Sequence, residues 1–137
     1  TDSMISRYRA RIGGPVLDRI DLAVAVERID PSQIVRRAVG ESSAQVRERV
    51  TRARAHAAAD LRPAVTSLAG AALLDASRLD ARGAQVLTDV CRAHHLSARG
   101  VTRLLRVART VADLECAHRV RIEHIMEALA FRREDLR

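Results

Sequence analysis

Lysine is absent from this 137-residue chain, and that absence excludes one kind of chemistry at once. A phosphate-cradling G-x-x-x-x-G-K-[ST] loop needs a lysine on the nucleotide phosphates, so none can be encoded here. All twenty-four basic residues are arginine, which codon bias in a GC-rich coding region explains better than a functional choice. Tryptophan is also missing, and Tyr8 and Phe131 are the only aromatics. The core must therefore be Leu, Val, Ile and Ala. Glycine and proline are scarce, and alanine- and arginine-rich text of this kind indicates a helical body. Cys91 and Cys116 are too few for a disulfide framework, so a reducing compartment is the default. No run approaches the ~18 apolar residues of a membrane span, and no secretory leader opens the text. A cytoplasmic location is expected. Thr1 is not a natural start, and the chain reads as a piece of something longer.

What is present is a basic surplus, a net charge of +7. It points to an anionic partner, nucleic acid or nucleotide phosphate, with a purely solubilising role weighed equally beside it. The most ordered pattern runs from Leu96 to Glu115. At about 100° per residue, Val101, Leu104, Leu105, Val107, Ala108, Val111, Ala112 and Leu114 share one face, and Arg99, Arg103, Arg106 and Arg109 share the other. Ser97 is a natural N-cap, with Leu96 placed to staple onto Val101. The arginine face is expected to be a phosphate-facing surface or a solvated flank, with Arg106 and Arg109 at the surface or facing DNA.

Taken in order, residues 3–12 could form a short basic helix, which Gly13, Gly14 and Pro15 interrupt. From Ile20 the period becomes two: Ile20, Leu22, Val24 and Val26 alternate with Asp21, Ala23, Ala25 and Glu27. This is the one convincing strand, and a lone strand needs sheet partners from elsewhere. Residues 29–40 read as a linker around Pro31. Ser42 and Gln45 form a capping box that opens a helix at about 43–59, with Val46, Val50, Ala53 and Ala57 inward and Glu48–Arg52 paired. Residues 61–78 are the least legible, with a short helix around 68–76. Asp80 caps a helix at about 81–95 with Val86, Leu87, Val90 and Cys91 inward. A last helix, 122–132, buries Ile122, Ile125, Met126 and Leu129. The fold class expected is mainly α: a bundle of four to five helices preceded by a stub strand.

Four collinear blocks carry a family resemblance. RIGGPVLDRIDLAVAV (Arg11 to Val26) resembles the end of the AAA+ core of magnesium-chelatase-like ATPases, which enters its last core strand there. GESSAQVRERVTRAR (Gly40 to Arg54), LSARGVTRLLRVARTVADLE (Leu96 to Glu115) and IEHIMEALAFR (Ile122 to Arg132) resemble three helices of that family's C-terminal lid. The resemblance covers almost the whole chain and is of the ComM/YifB type. It implies that residues 1–28 end the AAA+ core, 29–40 link, and 41–137 form the helical lid. It also implies ATP with Mg2+ as the ligand of the full-length protein and a homo-oligomer; some members of the type are hexameric DNA helicases in branch migration, which makes a hexamer the expected assembly and DNA a possible partner. Arg19, after the Leu17-Asp18 dipeptide, matches the arginine finger that reaches a neighbouring subunit's γ-phosphate. A permanently charged, bidentate guanidinium suits that task. Read without the resemblance, Arg19 is a salt-bridge partner of Asp18 or Asp21. Arg99 matches the sensor-2 arginine, in a first helical turn that itself favours anions. Arg103 is a possible second phosphate or interface contact.

The chain departs from the family pattern at Gly13, where serine is usual, and over 61–78, which lacks an expected Asn-containing pattern. Lacking the Walker motifs, this stretch alone is expected not to hydrolyse ATP. A second reading is a standalone helix-turn-helix DNA binder formed by the helices at 81–95 and 97–115. Against it stand the missing turn glycine, the long second helix and the unexplained strand. A metal set from Cys91, His94, His95, Cys116 and His118 is disfavoured, because the long helix separates the two cysteines by roughly 25 Å. Asp113 is assigned a structural role.

Overall fold

A computed structural model describes residues 19–28, 32, 40–60 and 62–132. The expected basic helix at 3–12, the Gly13–Pro15 break, Asp18, nearly all of the linker and the extreme C-terminus lie outside them. Among the described residues there are five α-helices: α1 (Ser43–Ala59), α2 (Gly70–Ser77), α3 (Ala81–Ala93), α4 (Ala98–Leu114) and α5 (Ile122–Ala130). A 3-10 turn at Val65–Ser67 precedes α2. The mainly helical class expected from composition is the class found.

Helix starts fall where the capping residues put them. The Gln45 N–H donates to Ser42 Oγ at 3.3 Å, and the Ser42 N–H donates to Gln45 Oε1 at 2.8 Å, closing the capping box of α1. Asp80 Oδ1 accepts from the Gly83 N–H at 2.7 Å, and Ser97 Oγ accepts from the Gly100 N–H at 3.1 Å. Ser97→Ala is therefore expected to cost about 1 kcal/mol, read as a lower denaturation midpoint with an unchanged m-value. The α3–α4 turn, which has no glycine, is made by His95 in the left-handed region at φ 48°.

Helix α4 is the axis. α1, α2, α5 and the 3-10 turn all pack on it, while α3 packs on α5. Leu104, Leu105, Ala108 and Ala112 of α4 meet Leu68, Leu73, Leu87, Val90, Val120, Ile125 and Ala128 in one core. Each large aliphatic side chain buried there contributes about 1.5–3 kcal/mol. The region around Leu68 and Leu73, opaque in the sequence, is thus part of the core itself. Ser77 is fully buried; its hydroxyl donates to the Leu73 carbonyl at 2.7 Å, and its own carbonyl accepts from the Val120 N–H at 2.8 Å.

Several expectations need correction. Of the four inward positions proposed for α1 only Ala53 is buried, and Val46 is exposed, because α1 has its α4 contact along part of its length only. The exposed half is held instead by a bidentate Arg49–Glu41 pair at 2.6 and 3.0 Å, not by Glu48–Arg52. In α5 Met126 is exposed, and His124, Ile125 and Ala128 are buried. His124 takes the inner position because both ring nitrogens find partners: Nδ1 accepts from the Arg121 N–H at 2.9 Å, and Nε2 lies 3.0 Å from Glu115 Oε2. Residues 20–28 form no strand, since a ladder requires a neighbouring strand and the described residues supply none. Ile20, Leu22, Val24 and Val26 are exposed, and the segment is anchored by the Ala23 N–H donating to the Phe131 carbonyl at 2.9 Å.

Candidate functional site at the start of helix α4

The four arginines of α4 do not form one solvated face. Arg99 is exposed, but Arg103 and Arg109 are buried and Arg106 is half-buried. A central helix has no free flank, so the side opposite its aliphatic stripe is covered too, by the 62–68 segment and by residues near Asp21. Arg106 Nε and Nη2 both donate to the Leu68 carbonyl, at 3.1 and 2.8 Å. The expectation that Arg106 and Arg109 lie at the surface is corrected accordingly.

At the N-terminal end of α4, three segments converge. Ser97 caps the helix, and Arg99 follows in the first turn, exposed and with no hydrogen bond or ion pair to the described residues. The helix dipole and free N–H groups of that turn already favour an anion. One turn on, Arg103 Nε donates to Asp21 Oδ1 at 2.5 Å, with the arginine side chain 8% and the aspartate 54% exposed. Just past the end of α5, Arg132 Nη1 donates to the Gly100 carbonyl at 3.2 Å. Arg19 stands in a turn two residues before Asp21 and is exposed. The segment carrying Arg19 is thereby tied to the helix turn that carries Arg99, through Asp21–Arg103 and Ala23–Phe131.

This end suits phosphate recognition in its chemistry. An open guanidinium in a first helical turn can make charge-assisted, bidentate bonds to phosphate oxygens. A buried neighbour pinned to a carboxylate holds the backbone that presents it. Asp21 was not found as a partner of Arg103 from sequence, because 82 residues separate them and no local pattern links the two.

The opposite end of α4 carries a structural ion network. Arg109 is fully buried; its Nη2 meets Asp113 Oδ1 at 2.9 Å and the Ala117 carbonyl, and its Nη1 donates to the His118 carbonyl at 3.2 Å. Asp113 also accepts from Arg62 Nη2 at 2.6 Å, and Arg62 Nε donates to Asp60 Oδ2 at 3.1 Å. Burial pulls the Arg109 guanidinium below its usual range, with Asp113 opposing. Burial works against Arg62 as well, but its bonds to Asp113 and Asp60 outweigh that and raise it. Asp113 thus has the structural role assigned to it.

An all-helical bundle wound on one helix, with an open arginine in that helix's first turn, fits a helical lid domain. Residues 40–132 match the family model described as magnesium chelatase, subunit ChlI C-terminal, and residues 1–34 match magnesium chelatase, subunit ChlI. The chain belongs to the magnesium-chelatase-like AAA+ ATPases of the ComM/YifB type. It is similar to YifB of Salmonella typhimurium, 35% identical over 136 residues, covering 98% of this chain and 27% of that protein. A Mycobacterium tuberculosis relative is 36% identical over 135 residues, 96% of this chain and 27% of the relative. The competence protein ComM of Haemophilus influenzae is 33% identical over 129 residues, 93% of this chain and 25% of ComM. The chain therefore spans about a quarter of the length of these curated relatives. Among the described residues no helix is long and apolar enough to cross a membrane.

Proposed function

We propose that this chain is the C-terminal portion of an ATP-hydrolysing AAA+ machine, in which residues 41–137 act as the nucleotide-sensing lid. Residues 1–28 end the ATPase core and 29–40 link the two. Bound ATP with Mg2+ would supply the phosphoryl group whose transfer drives the machine. Arg99 binds phosphate oxygens as the sensor-2 residue, and its exposed position at a helix N-terminus, with no partner among the described residues, is the observation that carries the reading. Arg19 acts in trans as the arginine finger in a homo-oligomer, probed most simply as a hexamer. Arg103 serves as a positioning residue rather than a phosphate contact, because it is buried on Asp21. The lid converts the state of the nucleotide into movement on a cytoplasmic substrate. DNA is the substrate favoured by the +7 charge and by the similarity to a competence protein.

A standalone helix-turn-helix binder has less support. Its recognition helix would be α4, and three of the four arginines it needs are turned inward onto Asp21, Leu68 and Asp113.

Arg99→Ala tests the proposal. In the complete protein it is expected to leave the melting temperature within about 1 °C, since an exposed side chain away from special features changes stability little. Nucleotide affinity or turnover should fall about tenfold, the scale of one charge-assisted phosphate contact. Unchanged affinity and unchanged turnover together would remove Arg99 from the site.

A further inference from the structure

His56 and Asp60 sit four residues apart at the end of α1, on one helical face. The turn after α4 brings His118 beside them, with the two imidazole centroids 4.9 Å apart. One ring nitrogen of each histidine and one carboxylate oxygen of Asp60 lie within 4.8 Å of one another. We propose that His56, Asp60 and His118 form a binding site for one divalent transition-metal ion of the zinc type. The ion pins the C-terminus of α1 to the α4–α5 connection, and water completes its coordination.

Geometry supports this set. His118 Nδ1 and Asp60 Oδ1 are 3.5 Å apart, close to the roughly 3.3 Å between two ligands of a tetrahedral ion with bonds of about 2.0–2.1 Å. His118 is 74% exposed in its side chain, so its ring can turn inward to close the remaining gap. Asp60 Oδ2 keeps the 3.1 Å bond from Arg62 Nε, the outer support that metal-bound carboxylates usually have, while Oδ1 faces His118 and accepts a long 3.5 Å bond from Arg78 Nη1 that the ion would displace. His56 Nε2 is buried without a hydrogen-bond partner, and a buried polar atom left in that state is costly unless something binds it. The terminal carbonyls of α1 add a field that favours a cation.

Charge sets the limit on affinity. Arg78 Nη1 lies 3.3 Å from Asp60 Oδ2 and competes for the carboxylate, but its side chain is 48% exposed and can move to solvent. Burial pushes the Asp60 carboxyl up, yet the Arg62 bond and the charges of Arg78, Arg62 and His118 outweigh it and hold the group below the ordinary carboxylate range. Two imidazoles and one carboxylate select Zn2+, Co2+ or Ni2+ over Mg2+ or Ca2+, which prefer all-oxygen ligand sets. The set is not the one weighed from the sequence, with which it shares only His118.

The experiment uses the purified protein with Zn2+ for thermal melting, Co2+ for its visible spectrum, and Mg2+ as the control ion. Zn2+ in excess is expected to raise the melting temperature by roughly 5 °C or more, with Mg2+ inert. Co2+ should give the intense d–d bands of a four-coordinate site without thiolate charge transfer. Both signals should vanish in His118→Ala, whose exposed side chain makes misfolding no explanation, and persist in His94→Ala. No Zn2+ shift, a shift that survives His118→Ala (an adventitious ion only), or thiolate bands placing the metal on cysteine would each overturn the proposal.

Discussion

Replacing Arg109 with alanine is expected to lower the unfolding free energy by about 3–5 kcal/mol, the largest single loss the described residues carry. The guanidinium is fully buried and meets Asp113 and the Ala117 and His118 carbonyls at once. Its removal leaves Asp113 with Arg62 as its cation, takes the donors from the Ala117 and His118 carbonyls, and opens a cavity where the fully buried side chain sat. Arg106→Ala should cost less, about 1 kcal/mol, since it deletes bonds to one neutral acceptor, the Leu68 carbonyl. Denaturant unfolding of both variants checks the contrast. A double variant, Arg109→Ala with Asp113→Ala, should lose less than the sum of the singles by the Arg109–Asp113 coupling alone, because Asp113 keeps Arg62 and Arg109 keeps its two carbonyls in the respective singles. An Arg109→Ala loss within about 1 kcal/mol would mean that the network is not the closure it resembles.

Arg19→Ala in the complete protein is expected to abolish multiple-turnover ATP hydrolysis, a fall of about 10³–10⁵-fold, with nucleotide affinity retained. The size follows from what a finger does: it meets charge that develops on the transferring phosphoryl group, so its contribution appears in the transition state and not in ground-state binding. Arg19→Lys should recover little, because an ammonium lacks the bidentate fork. Steady-state turnover and nucleotide binding, measured on the same preparation, separate this outcome from misfolding. Wild-type turnover in Arg19→Ala would end the assignment.

Helix α4 was legible in the sequence because three independent signals agree there: a 3.6-residue apolar period, a serine N-cap, and an aliphatic residue before the cap. Of its aliphatic stripe, Leu104, Leu105, Ala108, Val111 and Ala112 are buried, and Val101, Val107 and Leu114 are half-buried. What could not be read is the fate of its arginines. A guanidinium on a long apolar stem is equally at home in water or folded inward onto acceptors, and the acceptors here come from far along the chain. Asp113 is joined to Arg62 across 51 residues, and Arg103 to Asp21 across 82. No local periodicity encodes such pairs. The same limit explains α5: counting apolar residues assigns Met126 inward, whereas His124 takes the inner position because Arg121 and Glu115 satisfy its ring. At the candidate site, Arg99 was found from its place after Ser97, but its isolation from other charged groups became visible only once Arg103, Arg106 and Arg109 were seen to be occupied. For the proposed metal ligands, the i,i+4 pairing of His56 with Asp60 was available in the text, whereas the place of His118 beside that pair was not.

The central claim is that this chain supplies one subunit's finger to another subunit's nucleotide. It is tested most directly by mixing. Complete protein carrying Arg19→Ala is combined with complete protein whose own phosphate-binding loop is disabled, and ATP hydrolysis is measured against each variant alone. Both variants alone should be inactive, and the mixture should regain a measurable fraction of wild-type turnover, because some interfaces then pair an intact loop with an intact Arg19. A mixture as inactive as its components, with mixed oligomers confirmed by mass, would contradict action in trans.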